Sequence, residues 1–467
     1  MKNKAIAYLG IAIAVVLTLF MLKGTIEDKN GADEKDKTVV SVIEQEKEQE
    51  PEKVKENANN KNEKKEKEEK TDKIDKTEKT EKNNKKSKKN IIPAIVISHL
   101  SAFDSPSPSN PPETKKISFV AVGDIIVHDS VRTDSAELGR LSGKKFDFLP
   151  MFSNVSDIIK NADLSYINQE APYGGPERGY KGYPMFNCPD EEFYDLKELG
   201  FDIINIANNH MLDSGTGGYK RTIDFLKQQK DITYIGGYEN KADYENIRVI
   251  EKNGISIALL SYTYGTNGLK LSSGSEMVVP LCGESSDNAE IDRMTKKARS
   301  LADIVIVSMH WGSEDHFKPS DLQKKQVDIM VNNGVDVIIG THPHVLQPMM
   351  WKERPDGGRT LVIYSLGNFL SGMLYVRNHV GGIAGFDIVK AGDMAFVNAP
   401  YFIPTVSQYN TSFRGFKIYK FSEYTNELLN SHRCQLVSDP GKSLSFMRNI
   451  IDNAIPGEFL VEEFYRD

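Results

Sequence analysis

The sequence is poor in cysteine: only Cys188, Cys282 and Cys434 occur in a chain of 467 residues. That excludes a disulfide scaffold, and their wide separation excludes zinc-type cysteine spacing. One bridge stays open to them in an extracellular setting. Positive charge is not in excess either. The net charge of −7 gives no electrostatic footprint for a nucleic-acid partner. No segment repeats with a period of about 20–50 residues, as a solenoid or propeller would require. The apolar share of 39% and the charged share of 27% are ordinary for a soluble chain. They are unevenly spread.

Residues 1–24 begin with Lys2 and Lys4, ahead of an uncharged run from Ala5 to Leu22. A membrane-spanning helix needs about 18–20 apolar residues, so this run is just long enough. Positive charge ahead of the run favours an N-terminus held in the cytoplasm. Met21-Leu22-Lys23-Gly24-Thr25 lacks the small-residue pattern of a cleavage site. We therefore read an uncleaved anchor that places the main domain outside the cytoplasm, rather than a removed signal peptide. Residues 25–92 carry about 19 basic and about 19 acidic residues and almost no aromatics. Such a stretch cannot bury enough surface to offset its ordering entropy. A single charged helix is the other form open to it, and neither form makes a core. We read a solvated tether over residues 25–115, with an apolar patch from Ile91 to Leu100 and a Pro/Ser-rich end. Lys85 to Lys89 could touch anionic wall polymers, although a solvated charge run is the simpler reading.

From residue 116 the texture changes. Strand-length apolar runs are expected at 117–122, 162–167, 201–206, 232–235, 247–251, 255–262, 303–308, 337–339 and 361–364. Helical spacing is expected at 148–160, 191–199, 218–229, 288–301 and 321–333. Beyond residue 381 the pattern is of strands alone. This alternation with a β-rich end argues for a layered α/β sandwich over 116–435. A helical tail follows over 436–467.

The strand ends carry the chemistry. Val337-Ile338-Ile339 stops at Gly340, which is expected to turn the chain sharply. Thr341-His342-Pro343-His344 follows. Ligands of an open α/β sheet gather beyond the carboxyl ends of its strands. Other runs end in Asp124, Glu170, Asn209-His210 and His310. Six of the nine histidines lie at or near such ends: His128, His210, His310, His316, His342 and His344. Imidazoles mixed with carboxylates suit Zn, Mn or Fe rather than Ca. Two carboxylates and several histidines can hold two ions about 3.5–4 Å apart. A histidine left over can protonate a leaving group. Taken alone, Asp124 would read as a turn or cap residue, and Asn209 as a turn residue. Glu314 and His316 read as loop lining outside the ligand set. Trp311 reads as a wall, or a platform for a sugar or peptide. Asp213 either orients His210 or caps the helix near Gly215.

Six blocks occur in order: Gly123-Asp124, Asn168-x-Glu170, Ala207-Asn208-Asn209-His210-x-x-Asp213-x-Gly215, His310-Trp311-Gly312-x-Glu314, Gly340-x-His342-Pro343-His344-Val345-x-Gln347 and Tyr364-Ser365-Leu366-Gly367-Asn368-Phe369. Together they resemble the CapA (PgsA-type) poly-γ-glutamate capsule-synthesis proteins. That family is similar in turn to calcineurin-like metallophosphatases. The resemblance implies a four-layer αββα sandwich of metallophosphatase type with a two-metal site. Position by position, it implies metal ligation by Asp124, Glu170, Asn209, His310, His342 and His344, with Glu170 as the bridging acid. It implies a catalytic role for His210. There are two departures. Metallophosphatases carry a histidine where Ile126 stands, and their bridging acid is Asp, one methylene shorter. His128 would face the same side as residue 126 if the strand persisted. The implied role is in making, exporting or anchoring an anionic polymer such as poly-γ-glutamate, with capsule-synthesis subunits as partners. A non-catalytic scaffold and a phosphoesterase acting on envelope phosphodiesters are the alternatives.

Overall fold

The computed structural model describes residues 114–284, 288–436 and 442–465. The anchor expected over 1–24 and nearly all of the tether lie outside them. Among the described residues no helix is long and apolar enough to cross a membrane.

The β-branched runs form two sheets. In the first, β1 (Thr114–Ile125), β2 (Leu164–Gln169), β3 (Ile203–Asn205) and β4 (Thr233–Ile235) lie side by side and parallel. In the second, the spatial order is β5 (Arg248–Lys252), β6 (Ile255–Thr263), β7 (Ile304–His310), β8 (Val337–Thr341), then β10 (Arg359–Leu366) and β9 (Leu346–Glu353). Its four central strands are parallel, and β5 and β9 are antiparallel edges. The chain then returns to the first sheet. β11 (Asn368–Leu370) pairs with the end of β1, and β12 (Val380–Ala391), β13 (Met394–Gln408) and β14 (Lys417–Lys420) extend the sheet antiparallel from β1.

Period-two alternation sets the layers. Ile117, Phe119 and Ala121 of β1 face Ile257 and Leu259 of β6 and Ile304 and Ile306 of β7 in one central core. Val120 and Val122 point the other way, toward Phe193 and Leu196 of the helix Asp190–Leu199 and Ile223 and Leu226 of the helix Gly215–Lys227. Val305, Val307 and Ile338 meet Ile291 and Met294 of the helix Asn288–Arg299 and Val327 and Met330 of the helix Asp321–Asn332. The result is helix, sheet, sheet, helix. The helix Leu444–Ala454 adds Met447, Ile450 and Ile451 to the central core.

Toward one rim, the inner faces turn polar. Ile304 and Ile306 give way to Ser308 and His310 along β7, and Leu164 and Tyr166 to Asn168 along β2, all of them buried. Tyr166 and Ser308 share a 2.6 Å hydrogen bond between the sheets. The carboxyl ends of both parallel runs therefore converge on one buried polar rim.

Several local expectations change. The helix expected over 148–160 divides into a 3-10 turn, Leu149–Phe152, and a short helix, Ser156–Lys160. Pro150 sits in the first turn of the 3-10 segment, where its missing N–H costs nothing, and the break comes after it, at Val155, whose backbone leaves helical geometry. The sequence predicts neither the helix Asp129–Ser142 nor β9. That helix buries Val131, Asp134, Ser135 and Gly139, a face too polar and small to give an apolar period. Asp134 is buried because its carboxylate accepts from the backbone N–H groups of Gly415 and Phe416. β9 carries Pro348, which is tolerated because β9 is an edge. Gly340 does not make the turn. It lies within β8, where a Cβ would stand 2.0 Å from the Tyr364 carbonyl oxygen. The turn comes instead from His342 and His344, with φ of 95° and 55°. None of the three cysteines forms a disulfide, and all are buried.

Candidate metal centre

Asp124 lies fully buried near the end of β1. Asn168 Nδ2 donates to its Oδ1 at 2.6 Å, and the His342 backbone N–H donates to Oδ2 at 3.2 Å. His344 Nδ1 stands 3.2 Å from Asp124 Oδ2 and 3.0 Å from Asn368 Oδ1. The Nε2 of His344 is thereby turned toward Glu170, whose Oε1 lies 3.6 Å away. The same Oε1 is 3.5 Å from His310 Nε2. His310 Nε2 in turn lies 2.9 Å from Asn209 Oδ1, and its Nδ1 is 3.0 Å from Thr341 Oγ1. Donor atoms from Asp124, Glu170 and His344 all fall within 4.8 Å of one another, as do those of Glu170, His310 and His342. Glu170 belongs to both triads.

All six residues expected as ligands thus meet at the rim. Asp124, Glu170 and Asn209 come from the first sheet and its loops, and the three histidines come from the second. His210 stands beside the triads rather than within them. Its Nδ1 is 2.7 Å from Asp213 Oδ2, which also accepts from the Phe186 N–H at 2.8 Å. Of the two roles open to Asp213, orienting the imidazole is the one adopted. The Phe186 ring meets His210 edge-on, with centroids 4.7 Å apart.

No ion is needed to explain most of these contacts, but Glu170 is different. As a carboxylate, Glu170 has no hydrogen-bond donor at either buried oxygen, its one reachable partner being the Asp124 carboxylate, which it meets only when protonated; Nδ1 of His342 is buried without a partner too. A buried carboxylate in that state calls for a cation. With metal–ligand bonds of about 2.0–2.2 Å, donors round one ion stand about 3 Å apart, close to the spacings around Glu170 Oε1. Three imidazoles, two carboxylates and an amide fit a divalent transition metal.

The electrostatics agree. Burial, reinforced by the charge of Asp124, pushes the Glu170 carboxyl well above the ordinary carboxylate range. Burial works against charge on Asp124 and His344 as well, but their mutual hydrogen bond and attraction outweigh it. Asp124 is held below its usual range and His344 above its own. Burial drives His310 down to about 3 and His342 well below the imidazole range. Both are neutral near pH 7, the form that binds metal.

For His128 and Trp311 the structure decides between the alternatives left open. β1 ends at Ile125, so His128 does not continue its face; it precedes the helix Asp129–Ser142, and its Nδ1 accepts from the Gly372 N–H at 3.2 Å. Trp311 is a wall and not a platform: it lines a cavity shared with Tyr264. It is 1% exposed, with its Nε1–H bonded to the Tyr364 carbonyl at 2.9 Å. The aromatic over the site is Tyr264, whose ring lies 4.3 Å from that of His342. Tyr264 also lines this cavity, of about 580 Å³, together with Ser313, Ser320 and Gln323. Asn205 was not singled out from sequence. Its Nδ2 donates to Asn168 Oδ1 at 2.7 Å and so aims Asn168 at Asp124. A polar residue closing a short apolar strand was the available signal.

Residues 118–373 match the family described as bacterial capsule synthesis protein PGA_cap. The chain belongs to this family. The matched stretch contains every residue of the centre. Among curated proteins of like sequence are the capsule biosynthesis protein CapA of Bacillus anthracis and the PGA biosynthesis protein CapA of Bacillus subtilis. The first is 31% identical over 291 residues, covering 60% of this chain and 66% of the relative. The second is 31% identical over 284 residues, covering 60% of this chain and 70% of the relative. Thus about two thirds of each relative's length is spanned. Among solved structures, the calcineurin-like phosphoesterase YfkN from Bacillus subtilis aligns with 73% of this PGA_cap chain and 96% of its own, at 12% identity and a TM-score of 0.37.

Proposed function

We propose that this chain acts in capsule biosynthesis, in the synthesis, export or anchoring of an anionic polymer such as poly-γ-glutamate. In this reading residues 1–24 hold it to the cytoplasmic membrane and the tether carries the sandwich outside. Capsule-synthesis subunits and the polymer are its partners. Family membership and the names of the relatives support the capsule role.

We further propose a metal-assisted hydrolysis or transfer at the rim. Asp124, Glu170, Asn209, His310, His342 and His344 would hold two divalent ions, of Mn, Zn or Fe, with the fold of metallophosphatase type. When bound, such a pair supplies Lewis-acid charge that activates water and offsets developing anionic charge. The chain's own residues do the rest. Asp213 fixes the His210 ring through Nδ1, leaving Nε2 to hand a proton to the leaving group. Tyr264 covers His342 and shields that edge from bulk water. The observation that carries this reading is Glu170, a buried carboxylate shared by two ligand triads and otherwise unsatisfied.

A second reading, a scaffold subunit without turnover, is favoured by Ile126. It is 4% exposed where metallophosphatases place a histidine. The test is metal content of the purified full-length chain beside an Asp124→Ala/His342→Ala variant, followed by phosphoester and amide substrates. Stoichiometric transition metal that the variant loses, with turnover, supports the enzyme. A folded protein that takes up none of Mn, Zn or Fe supports the scaffold.

A further inference from the structure

The His342–His344 pair has a carboxylate on each side. Glu170 is the buried one. On the solvent side stands Glu314, exposed, with one carboxylate oxygen within 4.8 Å of a ring nitrogen of each histidine and those nitrogens equally close to each other. Exposure alone would make Glu314 an ordinary loop acid. The loop that carries it is not ordinary.

The next residue, Asp315, donates its backbone N–H to the carbonyl of Pro343 at 2.9 Å, and Pro343 lies between the two histidines. Asp315 has φ of 62°, a left-handed conformation that a non-glycine residue adopts at a cost of about 1–3 kcal/mol unless its surroundings fix it. They do. Its carboxylate accepts from Arg377 Nε at 2.9 Å and from Asn378 Nδ2 at 2.7 Å. The same Asn378 Nδ2 lies 3.3 Å from the His344 carbonyl. One clamp therefore holds both the loop bearing Glu314 and the loop bearing the histidines. The left-handed residues Asp315, His342 and His344 are fixed relative to one another, so Glu314 is presented to the pair by a rigid frame. His342 contributes a second sign of a missing partner, since its buried Nδ1 has no hydrogen bond.

We propose that Glu314 supplies a ligand oxygen, from the solvent side, to a divalent ion also held by His342 and His344. This rests on the metal reading above and adds to it a seventh residue, one at the mouth. A ligand on an exposed side chain can leave the ion without unfolding anything, which the buried ligands cannot do. Glu314 is therefore the ligand a substrate oxygen would replace.

The experiment is calorimetric titration of the metal-free, full-length chain with Mn²⁺. Wild type is compared with Glu314→Gln, Glu314→Asp and a control at an exposed distant acid, Glu353→Gln. Urea midpoints without metal are recorded for all four. The expected result is an unchanged midpoint in each, a loss of about tenfold to hundredfold in the affinity of one ion in Glu314→Gln, partial recovery in Glu314→Asp, and none of this in the control. If folded wild type takes up no Mn²⁺, the metal reading falls and this inference with it. If wild type binds and Glu314→Gln gives a superimposable curve, only the inference falls.

Discussion

Oε1 of Glu170 stands 3.5 Å from Nε2 of His310, too far for a hydrogen bond and close to the spacing of two donors round one ion. The carboxylate is fully buried. Burial and the charge of Asp124 push it well above its ordinary range. The metal-free protein therefore holds this group at a cost.

Replacing that carboxylate separates the two effects. Glu170→Gln should match or exceed the thermal stability of wild type in chelator, because a neutral amide replaces a charge that burial opposes. Added Mn²⁺ at about 100 times Kd should stabilise wild type by about 2.7 kcal/mol and the variant hardly at all. Melting curves with and without metal check this. Equal metal-induced shifts would remove Glu170 from the ligand set.

His210→Ala should lower turnover on any substrate found by about 10²–10⁴-fold while metal content stays at the wild-type value. Asp213→Asn should weaken the hold on the ring and lower kcat more than it raises KM. Metal analysis beside steady-state kinetics gives the answer. Wild-type turnover in His210→Ala would exclude it as the proton donor.

His379 and His432 are both buried, with rings 4.2 Å apart. Burial, joined for His379 by its neighbour, holds both below the imidazole range, His432 at about 3. The unfolded chain takes up protons near pH 6.5 that the folded chain refuses. The stability due to these groups is thus complete above about 6.5 and is lost as pH falls toward 3, at about 1.4 kcal/mol per pH unit for each histidine. His379→Phe should lose less stability than wild type between pH 7.5 and pH 5, by about 2 kcal/mol. Urea unfolding at the two pH values measures it, and identical losses would refute the assignment.

Ile451 is fully buried in the central core. Ile451→Ala should cost about 2–5 kcal/mol in urea unfolding. A cost below about 1 kcal/mol would mean that the helix Leu444–Ala454 is peripheral to the sandwich.

The sandwich was legible because both sheets are built on β-branched runs, and the rim donors because they follow such runs directly. Asp124, Glu170, His310 and His342 could each be found by asking what closes an apolar strand. What escaped notice lacks that grammar. The helix Asp129–Ser142 buries Asp134 and Gly139 in place of an apolar stripe. β9 contains a proline that only its edge position explains. Trp311 looked available because sequence cannot reveal the Tyr364 carbonyl that receives its N–H. Glu314 reads from sequence as loop lining for the same reason: what places it beside the histidine pair is a backbone bond from Asp315 to Pro343.

The rim draws its donors from both sheets, and Asp124 and His344 are 220 residues apart along the chain. No contiguous fragment of either half carries the full set. The loop closures that bring these groups together rank among the longest in the domain, and such contacts form late in folding. An ion therefore cannot template the early steps. In the proposed metal reading an ion would act as a latch that closes once the two sheets have docked, and its uptake would report on that docking.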